Sequence, residues 1–211
     1  LDTDNDYISE NIMIQIEQWF PIHIGWVVNP FHKEIEDELT QKCLKIKKAC
    51  KGDYEKFRKV DITYSVTVSF SSYFPYQGDA TYKLLEDQKF NRLHSWIDDQ
   101  INIYAEKLEA CKKGAKLKCV DGWFNVYEKY EHADFHAHAG NALSCVYFLN
   151  CEENAGAKLL FKSGRSGKSY SQDSLVSHNP FPGKLVIFSS YLDHAVQQHN
   201  TDNLRITLAY N

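Results

Sequence analysis

The stretch Phe135-His136-Ala137-His138 has the pattern that says most about how this chain folds. Its two histidines are two residues apart, so their side chains point to the same face if the segment is an extended strand. A third histidine follows 58 residues later (194 − 136), in Asp193-His194, and an arginine follows in Arg205-Ile206-Thr207. Three imidazoles and a cation inside an apolar strand predict an open metal site that also holds a carboxylate.

Two overlapping histidine motifs of the same parity precede the distal His194. One is His132-Ala133-Asp134 and the other is His136-Ala137-His138. Ferrous iron in oxygenases is usually held on one face by two histidines and a carboxylate, which leaves positions open for substrates. The first motif contains those ligand types, whereas the second has a histidine where the carboxylate is expected. The residues alone leave both ligand sets open.

The segments around these motifs predict an α+β chain. Turn-rich stretches separate strand-like segments, which are 118–130, 143–150, 157–162, 184–189 and 204–210. Near the start, residues 12–28 are typical of two short strands broken near Pro21. Several strands after a helical layer predict an antiparallel sandwich or barrel.

Two helices are predicted in the first half of the chain. The first opens after Asn29-Pro30 and ends at Gly52, and its apolar face is Ile35, Leu39, Cys43, Ile46 and Cys50. The second is clearer and ends before Gly114, and its apolar positions are Phe90, Leu93, Ile97, Ile101, Tyr104 and Leu108. Residues 61–80 suit an irregular connection with one strand in it.

Bulk properties exclude several classes of protein. The chain has 211 residues, a formal net charge of −4 and no basic stripe, so nucleic acid is not an expected partner. No apolar run approaches the roughly 18–20 residues of a membrane span, and no signal peptide is visible. None of the six cysteines forms a CxxC motif, which favours reduced thiols and a cytoplasmic location.

The domain organisation predicted is a single domain over residues 1–211. A helical and strand extension occupies 1–117, and the β core occupies about 118–211, with no repeat or linker between them. Residues 163–183 form a long segment rich in Ser and Gly. Such a segment is either a surface excursion or an active-site lid, and the sequence leaves both open.

A set of motifs in the second half resembles the 2-oxoglutarate/Fe(II)-dependent dioxygenase superfamily. The motifs are Trp123–Tyr127, His136-Ala137-His138, Leu143–Asn150, Phe181–Phe188, Asp193-His194 and Arg205-Ile206-Thr207. Each alone is common, but their order and spacing over roughly 120–211 are specific. The nearest group contains bacterial and phage members with a His-x-His motif, and prolyl hydroxylases are more distant. The resemblance implies a double-stranded β-helix (jelly-roll) core with a supporting N-terminal helical layer.

The resemblance also favours one ligand register. In relatives a strand tyrosine precedes the first ligand by a spacing that Tyr127 and His136 reproduce, nine residues apart (136 − 127). Tyr127 and His132 are only five apart (132 − 127). The family pattern therefore implies that His136, His138 and His194 hold Fe(II). His138 departs from the usual carboxylate, and three neutral imidazoles should raise the redox potential of the iron.

The same resemblance implies a binding site for the cosubstrate 2-oxoglutarate. Arg205 would bind its distal carboxylate through a planar fork, and Thr207 would add a hydroxyl contact. Asn125 and Tyr127 are two residues apart on the strand that precedes the ligands, so both would face the pocket. Tyr147 or Phe148 would line the pocket too. Packing in the core is an equally good explanation for Thr207 and for the aromatic residues. Trp123 is assigned to the core.

The function implied is a dioxygenase that converts 2-oxoglutarate to succinate and hydroxylates a second substrate. One alternative is a cupin-like metal protein with three histidines, which would not need Arg205. Another is a non-catalytic jelly-roll binding protein.

The other histidines of the chain are not assigned as ligands. His132 and Asp134 would orient the ligands or lie in solvent. The remaining histidines are assigned to packing or to the surface: His23, His32, His94, His178 and His199.

Overall fold

Eleven strands and two α-helices make up the described part of this computed structural model, which covers residues 22–60, 66–67, 70–73, 82–109, 114–153, 156–162 and 175–211. The strand predicted before Pro21 and most of the 163–183 segment lie outside those residues. The strands are β1 (Ile24–Val28), β2 (Val66–Thr67), β3 (Phe70–Ser71), β4 (Gly122–Tyr127), β5 (His132–His136), β6 (Leu143–Asn150), β7 (Leu159–Lys162), β8 (Leu175–His178), β9 (Lys184–Ser189), β10 (His194–Val196) and β11 (Arg205–Tyr210).

These strands form two antiparallel sheets. One sheet has the order β1-β9-β6-β11-β4-β3, and the other has the order β2-β5-β10-β7-β8. Strands that are consecutive in the chain often lie in different sheets, as β4 and β5 do, so the chain crosses repeatedly between the layers. The predicted α+β jelly roll is therefore confirmed.

Two helices support the six-stranded sheet. They are α1 (His32–Val60) and α2 (Asn91–Lys107), and two 3₁₀ turns lead into α2. Helix α1 contacts β6 and β3, while α2 contacts β9. Each helix turns its predicted apolar face to the core, where Leu39 and Cys43 of α1 and Leu93 and Ile97 of α2 are buried. The side chain of Cys50, predicted for the same face of α1, lies outside the described residues. The helical layer is therefore confirmed.

Helix α1 does not end where the sequence predicted. It runs through Gly52 to Val60, so the prediction of a stop at Gly52 is wrong. A glycine inside a helix costs only about 1 kcal/mol relative to alanine. Most residues after Gly52 tolerate a helix well, and no proline lies between Gly52 and Val60 to end it.

The long apolar strands were predicted correctly, and the short ones were missed. β6, β9 and β11 lie within the predicted segments, whereas β5, β8 and β10 were not recognised as strands. These three contain only three to five residues each, which is too short for a clear alternation. The 61–80 connection also contains two described strands, β2 and β3, rather than one.

Neither described helix is long and apolar enough to cross a membrane.

Candidate metal centre and cosubstrate pocket

Three histidines meet between the two sheets. His136 ends β5 and His194 begins β10, and the antiparallel register pairs these two residues directly across the strands. His138 lies two residues beyond β5, where its main-chain N–H donates to the Ser190 carbonyl over 2.8 Å. Each histidine offers one ring nitrogen, and these nitrogens all lie within 4.8 Å of one another. Such a cluster has the size of a mononuclear metal site.

Backbone carbonyls orient two of these rings. The Nδ1 atom of His136 lies 2.7 Å from the Asp134 carbonyl, and that of His194 lies 2.9 Å from the Leu192 carbonyl. An Nδ1–H that donates to a carbonyl leaves the lone pair on Nε2. Ligating histidines are commonly held in this way, because the hydrogen bond fixes the tautomer and the ring orientation.

The environment keeps two of the rings neutral. Burial, with a smaller contribution from the nearby His136, lowers the pKa of His194 to about 3. Burial also lowers the pKa of His138 to about 4, with His136 again contributing. Neutral imidazole is the form that binds a metal, so protons compete weakly for these nitrogens near neutral pH.

Aromatic side chains and a pair of serines restrict the movement of the histidines. Trp123 meets the His138 ring edge-on with centroids 5.3 Å apart, and the Phe188 centroid lies 4.8 Å from that of His194. The buried Ser190, whose carbonyl anchors His138, has its hydroxyl 3.0 Å from that of Ser144. These contacts limit ring movement, which preorganises the cluster.

A cavity of about 550 Å³ opens over the three histidines. Asn125, Tyr127 and Thr207 contribute to its wall, as the sequence predicted. Their positions follow from strand register, because Asn125 pairs with Thr207 and Tyr127 pairs with Arg205 between β4 and β11. Residues two apart on one strand, and residues directly opposite each other on paired strands, face the same side of a sheet. These side chains therefore share one face of the sheet, as the sequence indicated.

Arg205 is fully buried beside this wall and does not itself line the cavity. Its Nη1 donates to the Ala157 carbonyl over 2.5 Å, whereas Nε and Nη2 have no hydrogen-bond partner. The rings of Tyr127 and Phe148 each lie 5.1 Å from the guanidinium carbon. A buried cation with two unpaired donors is costly, and a bound carboxylate would satisfy both donors.

Tyr127 connects the arginine to the cavity wall. Its buried hydroxyl hydrogen-bonds with Thr207 and Asn125, and burial raises its pKa while the Arg205 charge opposes that rise. The phenol therefore stays protonated at neutral pH and keeps one O–H donor. Thr207 is buried and shares the face of Arg205, as predicted.

The structure does not bring Tyr147 to this cavity. Its hydroxyl lies 2.8 Å from Nδ1 of His32 and accepts a hydrogen bond from Asn29 over 3.2 Å, on the side of the sheet that α1 covers. Neighbouring side chains on a strand point to opposite faces, so Phe148 faces Arg205 and Tyr147 faces the helices. The expectation that Tyr147 lines the pocket is corrected here.

The alternative motif stays apart from the cluster. His132 and Asp134 lie on β5 with Nε2 and Oδ1 3.5 Å apart, and the Asp134 side chain is 55% exposed. Neither joins the histidine cluster, although Asp134 borders the cavity. The other histidines do not line the cavity either, and they are His23, His32, His94, His178 and His199.

Three contributors to the site were missed by sequence reasoning. Trp123 was assigned to the core, but it also lines the cavity and packs on His138. The sequence did contain a signal: Trp123, Asn125 and Tyr127 are spaced two residues apart, so their side chains point to the same face of a strand. Ser144 and Ser190 gave no signal, because small hydroxyl residues are common in strands and turns and their contact spans distant parts of the chain.

Residues 121–211 match a family model described as "Putative 2OG-Fe(II) oxygenase". This part of the chain is therefore similar to the 2OG-Fe(II) oxygenase superfamily. The cofactor and cosubstrate of that superfamily are Fe(II) and 2-oxoglutarate, and the three-histidine cluster is a set of residues that fits such a metal. A search of curated proteins gave no match.

Some solved structures share the fold at low identity. A prolyl-4-hydroxylase from Pseudomonas putida is 14% identical over 90% of this chain and 91% of its own, with a TM-score of 0.53. HygX from Streptomyces hygroscopicus, solved with nickel and 2-oxoglutarate, is 12% identical over 90% and 81%, with a TM-score of 0.54. An oxidoreductase of the superfamily from Burkholderia pseudomallei is 17% identical over 60% of this chain, with a TM-score of 0.46, and the chain spans 56% of its length.

Proposed function

We propose that this chain is a 2-oxoglutarate- and Fe(II)-dependent dioxygenase that hydroxylates a C–H bond of a second substrate. One observation carries the proposal: three converging imidazoles and a buried arginine with two unpaired donors lie between the same two sheets. A cupin-like metal protein would need the imidazoles but would have no use for the arginine. The arginine therefore favours a reaction with a dicarboxylate cosubstrate.

The proposed ligands of Fe(II) are His136, His138 and His194. Imidazole nitrogen suits iron, and a facial set of three ligands leaves positions open for the cosubstrate and O₂. Three neutral ligands leave the centre with one more positive charge than a set that includes a carboxylate. We expect that charge to raise the redox potential of the iron.

The cosubstrate is proposed to bind through Arg205, whose unpaired Nε and Nη2 fit the distal carboxylate of 2-oxoglutarate. Thr207 and Tyr127 would place hydroxyl groups beside that carboxylate. When bound, Fe(II) supplies oxygen activation while 2-oxoglutarate is converted to succinate and CO₂. Trp123 and Phe188 pack on the ligands and would exclude water from their inner side.

The first prediction concerns the ligand set. Purified protein given Fe(II) and 2-oxoglutarate without O₂ should develop a visible metal-to-ligand absorption band, and O₂ with a substrate should then release succinate. His138→Ala should weaken Fe(II) binding at least about tenfold, because one of three ligands is lost. His138→Asp should keep the band if a carboxylate suits this position. His23→Ala is the matched control, since His23 lies outside the cavity and is exposed.

The alternatives predict different results in the same experiment. Tight metal binding with no band and no 2-oxoglutarate-dependent turnover would favour the cupin-like metal protein. No metal binding at all would favour a non-catalytic jelly roll. If His138→Ala binds Fe(II) as tightly as the wild type, His138 is not a ligand, and Asp134 becomes the candidate for the third ligand.

A reducing, cytoplasmic setting is proposed with this function. The described cysteines Cys43, Cys119, Cys145 and Cys151 are free thiols. Free thiols persist where glutathione or thioredoxin keeps cysteines reduced, and such conditions also favour the ferrous state of iron.

A further inference from the structure

A second cavity adjoins the one above the histidines. It has a volume of about 360 Å³, and its wall includes Tyr82, Lys83 and Val120. Tyr73 and Asp121 line both cavities, so they form the boundary between them. A substrate longer than the first cavity would have to pass these two residues to reach the second.

Aromatic rings form the wall along this path. Trp123 meets His138 on one side, with centroids 5.3 Å apart, and meets Tyr73 on the other, with centroids 5.2 Å apart. Trp123 is 7% exposed, whereas Tyr73 is 46% exposed and presents its ring to solvent. The wall thus runs from the proposed metal centre to the boundary of the second cavity.

One negative charge dominates the second cavity. Lys83 and Glu86 both line it, but Lys83 Nζ lies 2.9 Å from Glu86 Oε1 and the two charges offset each other. The Asp121 carboxylate accepts a hydrogen bond from its neighbour Gly122 and makes no ion pair within the described ranges. In the first cavity the described wall contains the Asp134 carboxylate and no lysine or arginine.

We propose that the second cavity binds the remote end of the hydroxylated substrate, and that this end carries a protonated amine or guanidinium. Such a group would sit between the Asp121 carboxylate and the exposed ring of Tyr73, where both attract a cation. A phosphate or carboxylate at the same place would be repelled by Asp121 and Asp134. This inference rests on the proposed dioxygenase function, because the reacting end must reach the histidine cluster.

The test uses the full chain with Fe(II) and 2-oxoglutarate in the absence of O₂. Three capped tripeptides that differ only in a central lysine, glutamine or glutamate are titrated by calorimetry, and spermidine is the non-peptide amine. The lysine peptide should bind about tenfold more tightly than the glutamine peptide, which is the scale of one carboxylate contact with one cation–π contact. Tighter binding of spermidine than of the lysine peptide would assign the amine to a small molecule.

Asp121→Asn should remove most of that preference for the cation. Asparagine keeps an oxygen for the Gly122 N–H, so the loop is retained while the charge is lost. Asp99→Asn, an exposed change on α2, is the control and should leave the preference unchanged. Asp121→Lys should reverse it in favour of the glutamate peptide.

Two results would overturn the proposal: equal binding of the lysine and glutamine peptides, or an Asp121→Asn variant that still prefers lysine. The absorption band of the same samples separates this failure from failure of the proposed function. A normal band with no cation preference rejects only the second-cavity subsite. Cation binding in a protein that develops no band rejects the dioxygenase and keeps the subsite.

Discussion

At the scale of single residues, Arg205 is a side chain that costs the fold stability. It is fully buried, it has one hydrogen bond to Ala157, and its remaining donors are unpaired. Burial lowers its pKa, because desolvation disfavours the charged form, and Tyr127 and Cys151 oppose that effect only in part. A fold would not gain from such a residue, so its cost points to an anion that is bound during function.

Replacing Arg205 should therefore separate stability from binding. In Arg205→Met we expect the ligand-free protein to be as stable as the wild type or more stable by about 1 kcal/mol, since an unpaired buried charge is removed. The same variant should bind 2-oxoglutarate about 100-fold more weakly, because the carboxylate loses its charged partner. Urea denaturation measures the first quantity and calorimetry measures the second.

Arg92→Met is the matched control for Arg205. Arg92 pairs with Glu34 at an exposed position on the helical side, so its loss should change stability by less than about 1 kcal/mol. It should leave the affinity for 2-oxoglutarate unchanged. An Arg205→Met protein that binds 2-oxoglutarate as tightly as the wild type would show that the cosubstrate carboxylate binds elsewhere.

At the scale of elements, the turn before β9 joins the β core to the first helix. Gly183 has φ +80°, and its N–H donates to the Phe148 carbonyl while its carbonyl accepts from Asn29. A Cβ at this position would lie 2.7 Å from Cβ and Cγ of His32, the first residue of α1. The turn therefore needs glycine for two reasons, the backbone angle and the close approach of the helix.

Gly183→Ala should destabilise the protein by about 2–4 kcal/mol. The left-handed backbone costs about 1–2 kcal/mol, and the clash with His32 adds an overpacking cost of similar size. Gly114→Ala isolates the first effect, because Gly114 has φ +84° and no atom of the described residues would lie within 4 Å of a Cβ at this position. Denaturant unfolding of both variants measures the difference, and equal losses would mean that the chain relaxes around His32 at no cost.

At the scale of the whole molecule, the helices cover the face of the six-stranded sheet that points away from the cavity. Tyr147 contacts His32 of α1, and Tyr210 packs edge-on against His94 of α2 with centroids 5.6 Å apart. Both tyrosines are almost fully buried. We propose on this basis that residues 1–211 are a single domain, in which the extension 1–117 completes the core of 118–211.

A fragment of residues 118–211 should fail to fold cooperatively. Without α1 and α2 it exposes the face that includes Tyr147 and Tyr210, and it loses β1 and β3 from the sheet edges. Its length is sufficient for a small domain, so failure would reflect lost packing rather than size. Thermal unfolding followed by circular dichroism tests this, with the full chain as reference. A sharp transition in the fragment would divide the chain into two domains.

Local sequence patterns were enough to predict part of the fold and of the candidate site. The apolar runs of β6, β9 and β11 and the helical periodicity of α2 appear in any short window, because burial on one face imposes a repeat. The parity of Asn125, Tyr127 and Thr207 likewise follows from strand geometry. Strands as short as β5 and β10 lack such a repeat, and α1 continues past Gly52 because the residues after that glycine also favour a helix.

The sequence by itself determined which residue types were available: the histidine pair, the distal histidine and an arginine in an apolar strand. The residues alone left two ligand sets open, and the family spacing favoured one of them. The tertiary structure brings His138 rather than Asp134 to His136 and His194, and the Ser190 carbonyl accepts a hydrogen bond from the loop after β5 that contains His138. The tertiary structure also decided that Tyr147 faces the helices. The reason is that contacts between distant segments depend on the relative placement of sheets and helices, and no local repeat encodes that placement.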